Sequence, residues 1–326
     1  MRALVTGAGG FLGRRLVERL LAEGDEVHAV VRPSREPPPE LAAATLIRAD
    51  LRVPGALSPE SLAGVDVVYH LAASLLPPWR SMFETNVTAT EHLLASLAAA
   101  GWRGRLVLVS TFAVYALNQL PPGAVVDETT PVEADPGRRD DYAWTKVLQE
   151  RLVRSAAATA GFELVVVRPG AVYGPGREWQ HRVGRLLSDR AVLMLGGRNR
   201  LPLTYVENTA SLIALAGRHP AAAGQTFNAV DPDPPTQREY LARWRSARGR
   251  TIVVPVPLAV LRVAGAAFSA AERRTRGAVS PPALLQPYVI QPTMRPFSYA
   301  PSRAHELLGW EPPVGREEAF KRAMDA

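Results

Sequence analysis

Three glycines stand three residues apart in the stretch VTGAGGFLG (5–13), at Gly7, Gly10 and Gly13, directly between a strand-like and a helix-like run. Glycine tolerates the backbone of a tight turn and lets a phosphate group approach the chain closely. The start of the following helix offers unpaired backbone N–H groups to an anion. The stretch therefore predicts a strand–turn–helix unit that binds the pyrophosphate of a dinucleotide. A plain tight turn is the alternative.

Strand-like and helix-like segments alternate along the first 175 residues. Six short runs rich in Val and Leu are predicted to be strands, at 2–8, 26–31, 44–50, 66–73, 105–111 and 163–170. Apolar residues at helical spacing predict helices at 11–24, 89–101 and 142–161. Continuous apolar strands that alternate with helices are typical of a parallel sheet covered on both faces. The pattern therefore predicts an α/β fold: a Rossmann-type doubly wound parallel sheet with a smaller C-terminal substrate-binding part.

Beyond residue 175 the alternation loosens and prolines become more frequent. We therefore expect residues 1–175 to form the dinucleotide-binding Rossmann domain and residues 176–326 to form mainly the substrate-binding part. The run QTFNAVD (225–231) could return a strand to the main sheet. The apolar stretch 251–271 contains two prolines and an arginine, so it is a poor membrane-spanning helix. It predicts a buried or surface-docked helix that starts near Pro257, with contact to lipid as the alternative.

The end of the second predicted strand bears on the choice of nicotinamide cofactor. The acidic residue that would bind the adenosine ribose of NAD is missing there, and Arg32 and Arg35 follow instead. Arg14 and Arg15 lie beside the glycine turn, and a guanidinium group suits a 2′-phosphate. NADP(H) is therefore favoured, and NAD(H) is the alternative if Arg32 stacks on adenine. Asp50, after the third strand, is placed to contact adenine or to cap a turn.

Lys146 is one of two lysines among 38 basic residues, and it lies four positions after Tyr142 on a predicted helix. Residues at this spacing share a helix face. A nearby ammonium favours the phenolate form of tyrosine, and a compact ammonium can also reach a ribose hydroxyl. Ser110 and Thr111 end the fifth strand, where a hydroxyl could hold a reacting oxygen while Tyr142 moves a proton. A surface Tyr–Lys pair and a strand-end cap are the alternatives.

Composition excludes several classes of function. The chain has no cysteine, so disulfides and thiolate chemistry are excluded, and its six histidines show no metal-type spacing, so no metal is predicted. The net charge of +7 comes from scattered arginines without a basic, aromatic-containing stripe, so we expect a small-molecule substrate and no nucleic-acid partner. The first residues already form a strand and leave no room for a signal peptide, so a cytoplasmic location is expected.

In this order, the motifs resemble the extended short-chain dehydrogenase/reductase superfamily, often labelled NAD-dependent epimerase/dehydratase. The matching segments are TGAGGFLG (6–13), YHLAA (69–73), NVTAT (86–90), STFAVY (110–115), YAWTK (142–146), RPGAVYGPG (168–176), LTYVENTA (203–210) and LLGWEP (307–312). The resemblance covers nearly the whole chain. The apolar segment 251–271 is most similar to the branch of 3β-hydroxysteroid dehydrogenase-like and dihydroflavonol reductase-like enzymes.

The resemblance implies roles for individual residues. Thr111 would hold the substrate oxygen, Tyr142 would be the acid/base, and Lys146 would bind the nicotinamide ribose and tune Tyr142. Asn86 is similar to the family's structural and proton-relay asparagine, and His70 is expected to be structural. The full set of expected cofactor contacts is Gly7, Gly10, Phe11, Leu12, Gly13, Arg32, Asp50, Leu51, Leu71, Ala72, Ala73, Tyr142, Lys146, Pro169, Gly170 and Val172. The resemblance also implies a homodimer through the helix that bears Tyr142 and its neighbouring helix, with a monomer as the alternative.

Departures from the family pattern bear on the reaction. Family dehydratases carry Asp-Glu where this chain has Phe112 and Ala113, so dehydration is disfavoured. Sugar-nucleotide epimerases usually carry Asn at Ala171 and a diphosphate-binding Arg at Leu201, although the adjacent Arg200 could substitute. The leading hypothesis is hydride exchange between a nicotinamide cofactor and a carbonyl or secondary alcohol of a fairly apolar metabolite. The alternatives are a sugar-nucleotide epimerase with tightly bound NAD and a non-catalytic dinucleotide-binding regulatory protein.

Overall fold

The computed structural model describes residues 1–75, 78–135, 139–179, 182–188, 191–195, 197–249, 251–275 and 296–324. The strands are β1 (Arg2–Thr6), β2 (Glu26–Val31), β3 (Thr45–Arg48), β4 (Val67–His70), β5 (Arg105–Val109), β6 (Val125–Val126), β7 (Glu163–Pro169), β8 (Ala171–Tyr173), β9 (Gly184–Ser188), β10 (Ala191–Leu195), β11 (Leu203–Tyr205), β12 (Thr226–Ala229), β13 (Ile252–Val256) and β14 (Ser298–Tyr299). The helices are α1 (Phe11–Ala22), α2 (Trp79–Phe83), α3 (Ala89–Ala99), α4 (Asp141–Ala160), α5 (Val206–Arg218), α6 (Gln237–Arg248), α7 (Leu258–Arg274), α8 (Ser302–Leu308) and α9 (Arg316–Met324).

Seven parallel strands form the central sheet in the order β12-β7-β5-β4-β1-β2-β3. All six strands predicted for the first 175 residues lie in it, and β12 pairs with β7 beyond them. The strand order reverses between β1 and β4, where the connections leave to opposite sides. In such sheets a crevice opens at this point, outside the carboxyl ends of the strands. The predicted Rossmann-type doubly wound α/β fold is confirmed.

Both faces of the sheet are covered because successive strand side chains point to opposite sides. In β1, Ala3 and Val5 pack in the same core as the apolar faces of α1 and α5. Leu4, between them, packs in a second core with side chains of α3 and α4. All three residues are fully buried, which explains why the strands contain continuous apolar runs rather than alternating ones.

The chain beyond β7 builds smaller units around the carboxyl edge of the sheet. β8 pairs with β11, and β9, β10 and β13 form a three-stranded sheet. Because β12 lies in the main sheet, residues after 175 contribute to both parts of the molecule. The division into two domains at residue 175 stays a prediction.

The apolar segment after β13 forms a helix rather than an extended run. α7 begins directly after Pro257, which has the extended backbone typical of a helix N-cap. Its Leu261 is buried, while Val260 and Val263 are exposed. Across the residues that the structure describes, no helix has both the length and the apolar character that crossing a membrane requires.

Candidate active site

The glycine turn joins β1 to α1 in a backbone shape that side chains would obstruct. Gly7 has φ +70°, and a Cβ atom there would lie 2.7 Å from the backbone nitrogen of Ala72. A Cβ atom on Gly13 would lie 2.1 Å from the carbonyl oxygen of Gly7. Gly10, the N-cap residue of α1, donates its N–H to that same oxygen at 2.9 Å. The turn therefore brings the start of α1 against the segment after β4, as a dinucleotide turn requires.

A cavity of about 450 Å³ opens beside this turn, at the carboxyl ends of β1 to β4. Its volume lies in the usual range for small-molecule sites. Eight of the predicted cofactor contacts line it: Gly7, Gly10, Arg32, Asp50, Leu51, Leu71, Ala72 and Ala73. The fold thus collects residues from four separate strand ends into one wall, although their contact with a cofactor stays a prediction.

Several residues of this cavity were not found from the sequence. They are Gly9, Val30, Val31, Glu36, Pro38, Ala49, Arg52 and Thr85. Val31 and Ala49 directly precede residues that were predicted, and Val30 precedes Val31, so the ends of the predicted strands were a usable signal. Thr85 comes from the turn before α3, and nothing in its local sequence marks it.

The arginines near the cavity fall into two pairs with different surroundings. Arg32 and Arg35 line the cavity. Arg14 lies 3.4 Å from Glu40, and Arg15 lies 2.7 Å from Glu18. The latter two guanidinium groups already have carboxylate partners, which makes Arg32 and Arg35 the better candidates for holding an added phosphate.

Asp50 has a partner that the sequence did not suggest. Arg52 contacts its carboxylate with two nitrogens, at 2.6 Å in the shorter contact. The Arg52 hydrogen bond lowers the pKa of Asp50 from its ordinary value, although burial opposes this effect. Asp50 also accepts a backbone N–H from Arg52, so it forms the turn cap named above as the alternative to an adenine contact.

Tyr142 lies in the first turn of α4, beyond the N-cap residue Asp140, whose carboxylate accepts the N–H of Ala143 at 2.9 Å. The side chain of Thr111, just after β5, lies close enough to influence its hydroxyl. Burial raises the pKa of Tyr142 to about 12, while the nearby Thr111 side chain and the charge of Arg177 oppose this rise. The phenol is therefore protonated at neutral pH and can act as a proton donor.

Lys146 lies one helical turn after Tyr142 and is buried. Its Nζ donates to the carbonyl oxygen of Val109 at 2.8 Å and to Oε1 of Gln149. Burial lowers the pKa of Lys146 to about 8, and the carboxylate of Glu150 opposes this shift. From the sequence, this ammonium was expected to lower the pKa of Tyr142. In the structure the pKa of Tyr142 is raised instead, because burial of the phenol dominates it.

Asn86 lies in a π-helical turn, Glu84–Thr88, just before α3. Its Oδ1 accepts the N–H of Ser74 at 2.7 Å, and its Nδ2 donates to the carbonyl of Ser74 at 3.0 Å and to Oγ1 of Thr145 at 2.9 Å. These bonds join the segment after β4 to the helix that bears Tyr142. Asn86 therefore has a structural function here, and its part in proton relay stays a prediction.

His70 lies at the carboxyl end of β4 and is buried. Its Nδ1 lies 2.7 Å from Oγ1 of Thr6, and its Nε2 lies 2.8 Å from Oγ1 of Thr90. Burial and the charge of Lys146 lower the pKa of His70 to about 3, so its ring is neutral at physiological pH. This arrangement supports the structural role expected for it.

A buried ion pair that the sequence reasoning missed anchors α4 to the sheet. Arg168 of β7 donates a hydrogen bond from Nε to Oε1 of Glu150 at 3.0 Å and one from Nη2 to Oε2 at 2.7 Å. The guanidinium also lies 4.8 Å from the ring centroid of Tyr115. A usable signal existed, because Glu150 lies four residues after Lys146 and Arg168 interrupts an otherwise apolar strand. The pair fixes the helix that carries both candidate catalytic residues.

The segment after β7 closes the carboxyl edge beside α4. Gly170 donates its N–H to Ala229 at 2.9 Å, and a Cβ atom on it would lie 2.1 Å from the carbonyl oxygen of Pro202. Pro169 is the last residue of β7, and Val172 lies in β8. These three predicted cofactor contacts lie at the carboxyl edge and do not line the cavity described above.

The side chain of Phe11, the first residue of α1, forms a platform for a cation. The guanidinium of Arg177 lies 5.1 Å from the centroid of its ring. Leu12 is partly buried against the core that contains α1 and α5 and against a further core that contains Tyr173 and Tyr205. Neither residue lines the cavity.

Gly13→Ala is expected to lower the free energy of unfolding by about 2 kcal/mol or more and to weaken cofactor binding, because the new Cβ would strike rigid backbone. Gly9→Ala is the matched control in the same turn, since a Cβ there meets only Pro38 at 3.5 Å. The control should change unfolding by less than about 0.5 kcal/mol. Denaturant titration measures the free energy of unfolding of both variants. Equal losses in the two would show that close packing at Gly13 is unimportant.

Comparison with known proteins shows the family to which the chain belongs. The NAD dependent epimerase/dehydratase family matches residues 3–229. The chain is 31% identical to a 2-alkyl-3-oxoalkanoate reductase of Stenotrophomonas maltophilia, over 99% of this chain and 98% of that protein. It is 26% identical to a 3-beta-hydroxysteroid dehydrogenase of Mycolicibacterium neoaurum, over 99% and 90%.

A solved structure of similar shape is the UDP-glucose 4-epimerase of Thermus thermophilus in complex with NAD. The two share a TM-score of 0.71 and 23% identity, over 100% of this chain and 98% of the other. This likeness concerns the fold, whereas the family match and the reductase extend to the sequence. The chain is therefore an enzyme of the NAD dependent epimerase/dehydratase family, the extended short-chain dehydrogenases and reductases.

Proposed function

We propose that this enzyme exchanges hydride between NADP(H) and a carbonyl or secondary alcohol of a fairly apolar metabolite. The observation that carries the proposal is the position of Tyr142 in the first turn of α4, near the side chain of Thr111 and one helical turn before buried Lys146. These groups stand at the carboxyl edge of β5 and the start of α4. The hydroxyls of Thr111 and Tyr142 would hold one substrate oxygen between them.

A nicotinamide dinucleotide fits the residues at this edge. The glycine turn packs backbone so closely that a Cβ on Gly7 or Gly13 would clash, and the adjoining cavity has a volume of about 450 Å³. Gly7 and Gly10 would hold the pyrophosphate, and Lys146 would donate to the nicotinamide ribose. When bound, the cofactor supplies or accepts the hydride.

The protein's own groups would handle the proton. In reduction, the Thr111 hydroxyl donates a hydrogen bond to the substrate carbonyl, and Tyr142 Oη transfers its proton to the oxygen as charge develops there. The high pKa of Tyr142, about 12, keeps that proton on the phenol at neutral pH until it is needed. The ammonium of Lys146 favours the phenolate that remains.

The substrate class is proposed from the relatives and from the site. The reductase of S. maltophilia acts, by its name, on a 2-alkyl-3-oxoalkanoate, which is a carboxylate whose 3-oxo group is a ketone between alkyl chains. Phe112 and Ala113 follow Thr111 here, so no acidic pair stands beside it for an elimination step. A panel of 3-oxoalkanoates, ketosteroids and UDP-sugars, followed by NADPH absorbance, tests the proposal. Epimerised UDP-sugar without net redox change would contradict it, as would tight NADP binding with no turnover.

The preference for NADP(H) is proposed from Arg32 and Arg35, which line the cavity, although Glu36 lines it as well. Arg32→Ala is expected to weaken NADPH binding by about 10- to 100-fold and to leave NADH binding nearly unchanged, because a charged hydrogen bond to phosphate is lost. Arg19→Ala, on α1 in an exposed pair with Glu23, is the control. Fluorescence titration measures both cofactors. Equal or tighter binding of NADH by the unmodified enzyme would overturn the preference.

A further inference from the structure

Gln149 lies three residues after Lys146 on α4 and is fully buried. Its Oε1 accepts a hydrogen bond from Lys146 Nζ. Its Nε2 donates to Oγ1 of Thr90 at 2.8 Å and lies 3.2 Å from Nε2 of His70. The amide thus connects the candidate catalytic lysine to side chains of α3 and β4.

The hydrogens around Thr90 fix the direction of this amide. The Thr90 hydroxyl donates its one proton to the carbonyl oxygen of Asn86 at 2.8 Å, so it must accept from its other neighbours. Gln149 must therefore present its NH₂ group to Thr90 and its carbonyl oxygen to Lys146. His70 donates Nε2–H to Thr90, and its Nδ1 accepts from Thr6 at 2.7 Å.

We propose that Gln149 is a positioning residue for Lys146: its amide, aligned by Thr90, holds the ammonium at the carbonyl of Val109 and favours its charged form. The inference rests on the function proposed above for Lys146. A carbonyl oxygen that accepts from an ammonium stabilises the charged state relative to the neutral amine. Two of the three N–H groups of the ammonium are thereby held, by Val109 and Gln149, and this orients the third N–H group.

Few charged groups face Lys146 within the described part of the chain. His70 from β4 is neutral, Tyr142 and Glu150 lie on α4 itself, and Arg168 of β7 pairs with Glu150. The turn before α3 contributes the neutral Asn86. Burial already lowers the pKa of Lys146 to about 8, so a small change in its surroundings moves its charge through the working pH range.

Two substitutions of similar size should move that titration in opposite directions. Gln149→Met removes the acceptor, so the alkaline fall of kcat/KM should shift by about one pH unit to lower pH, with kcat about 10-fold lower. Gln149→Glu places a carboxylate beside the ammonium and should shift the fall to higher pH. Val153→Ala, a buried residue of α4 outside this network, controls for loss of packing and should leave the profile unmoved.

The experiment measures kcat/KM and the NADPH dissociation constant between about pH 6 and pH 10 for the full-length enzyme and each variant. Opposite shifts in the two variants support the inference, and unshifted profiles in both overturn it. Lys146→Met separates the two proposals. If it is inactive while both Gln149 variants keep the original profile, only the role of Gln149 fails. If it is fully active, the proposed function of Lys146 fails.

Discussion

Tyr142→Phe is expected to reduce kcat by about 10²- to 10⁴-fold, the usual contribution of a positioned proton donor, while NADPH binding stays nearly unchanged. The substitution removes one oxygen atom from a ring that is otherwise kept. Burial holds the pKa of this phenol near 12, so the lost group is the neutral acid that the reduction requires. Steady-state turnover and a cofactor titration on the same preparation test both parts.

Tyr69→Phe is the matched control for that experiment. Tyr69 is a buried tyrosine of β4 whose hydroxyl donates to the carbonyl of Ala214 at 3.4 Å, away from Thr111. Its loss should change stability slightly and turnover little. A Tyr142→Phe enzyme that kept a tenth of the activity would refute the acid/base assignment, whatever the control did.

Glu150→Gln is expected to lower the free energy of unfolding by about 3–5 kcal/mol, because it leaves the buried guanidinium of Arg168 without its counter-charge. Burial raises the pKa of Glu150, but the hydrogen bonds and charge of Arg168 outweigh it and hold the pKa below its ordinary value. A depressed carboxyl pKa stabilises the fold at neutral pH, and this contribution is lost as the pH falls into the acid range. Urea unfolding at several pH values measures it.

An exposed ion pair provides the comparison. Glu318 and Arg322 on α9 lie 2.8 Å apart, with both side chains about half exposed. Glu318→Gln should lower the free energy of unfolding far less than Glu150→Gln does, since solvent screens such pairs. If the two Glu→Gln substitutions cost the same, burial of the Glu150–Arg168 pair would have no energetic importance.

Sequence reasoning succeeded where a local pattern imposes a physical requirement. Continuous Val and Leu runs need two covered faces, which is why six strands and their parallel arrangement could be predicted. The glycine spacing predicted a tight turn. In the structure Gly7 has positive φ there, and Gly13 has no room for a Cβ. The spacing of Tyr142 and Lys146 predicted one helix face, and both lie in α4.

Sequence reasoning stopped where a property depends on partners far along the chain. The sequence does not distinguish Arg14 from Arg32, yet Arg14 pairs with Glu40 whereas Arg32 lines the cavity. The effect of Lys146 on Tyr142 was argued from spacing alone, whereas burial dominates the pKa of the phenol. Gln149 belongs to no sequence motif. Its link to Lys146 became evident only in the structure, where its amide bonds Thr90, a residue 59 positions earlier.

The sequence by itself determined six strands of the main sheet and three long helices of the first 175 residues, the turn that suits a dinucleotide and the residue types available for proton transfer. These follow from backbone sterics and hydrophobic periodicity, which act over a few residues. Only the tertiary structure decided which charges are paired, which groups lose water and where each proton resides. Burial and hydrogen bonding set those properties, and both come from residues that meet in space after folding.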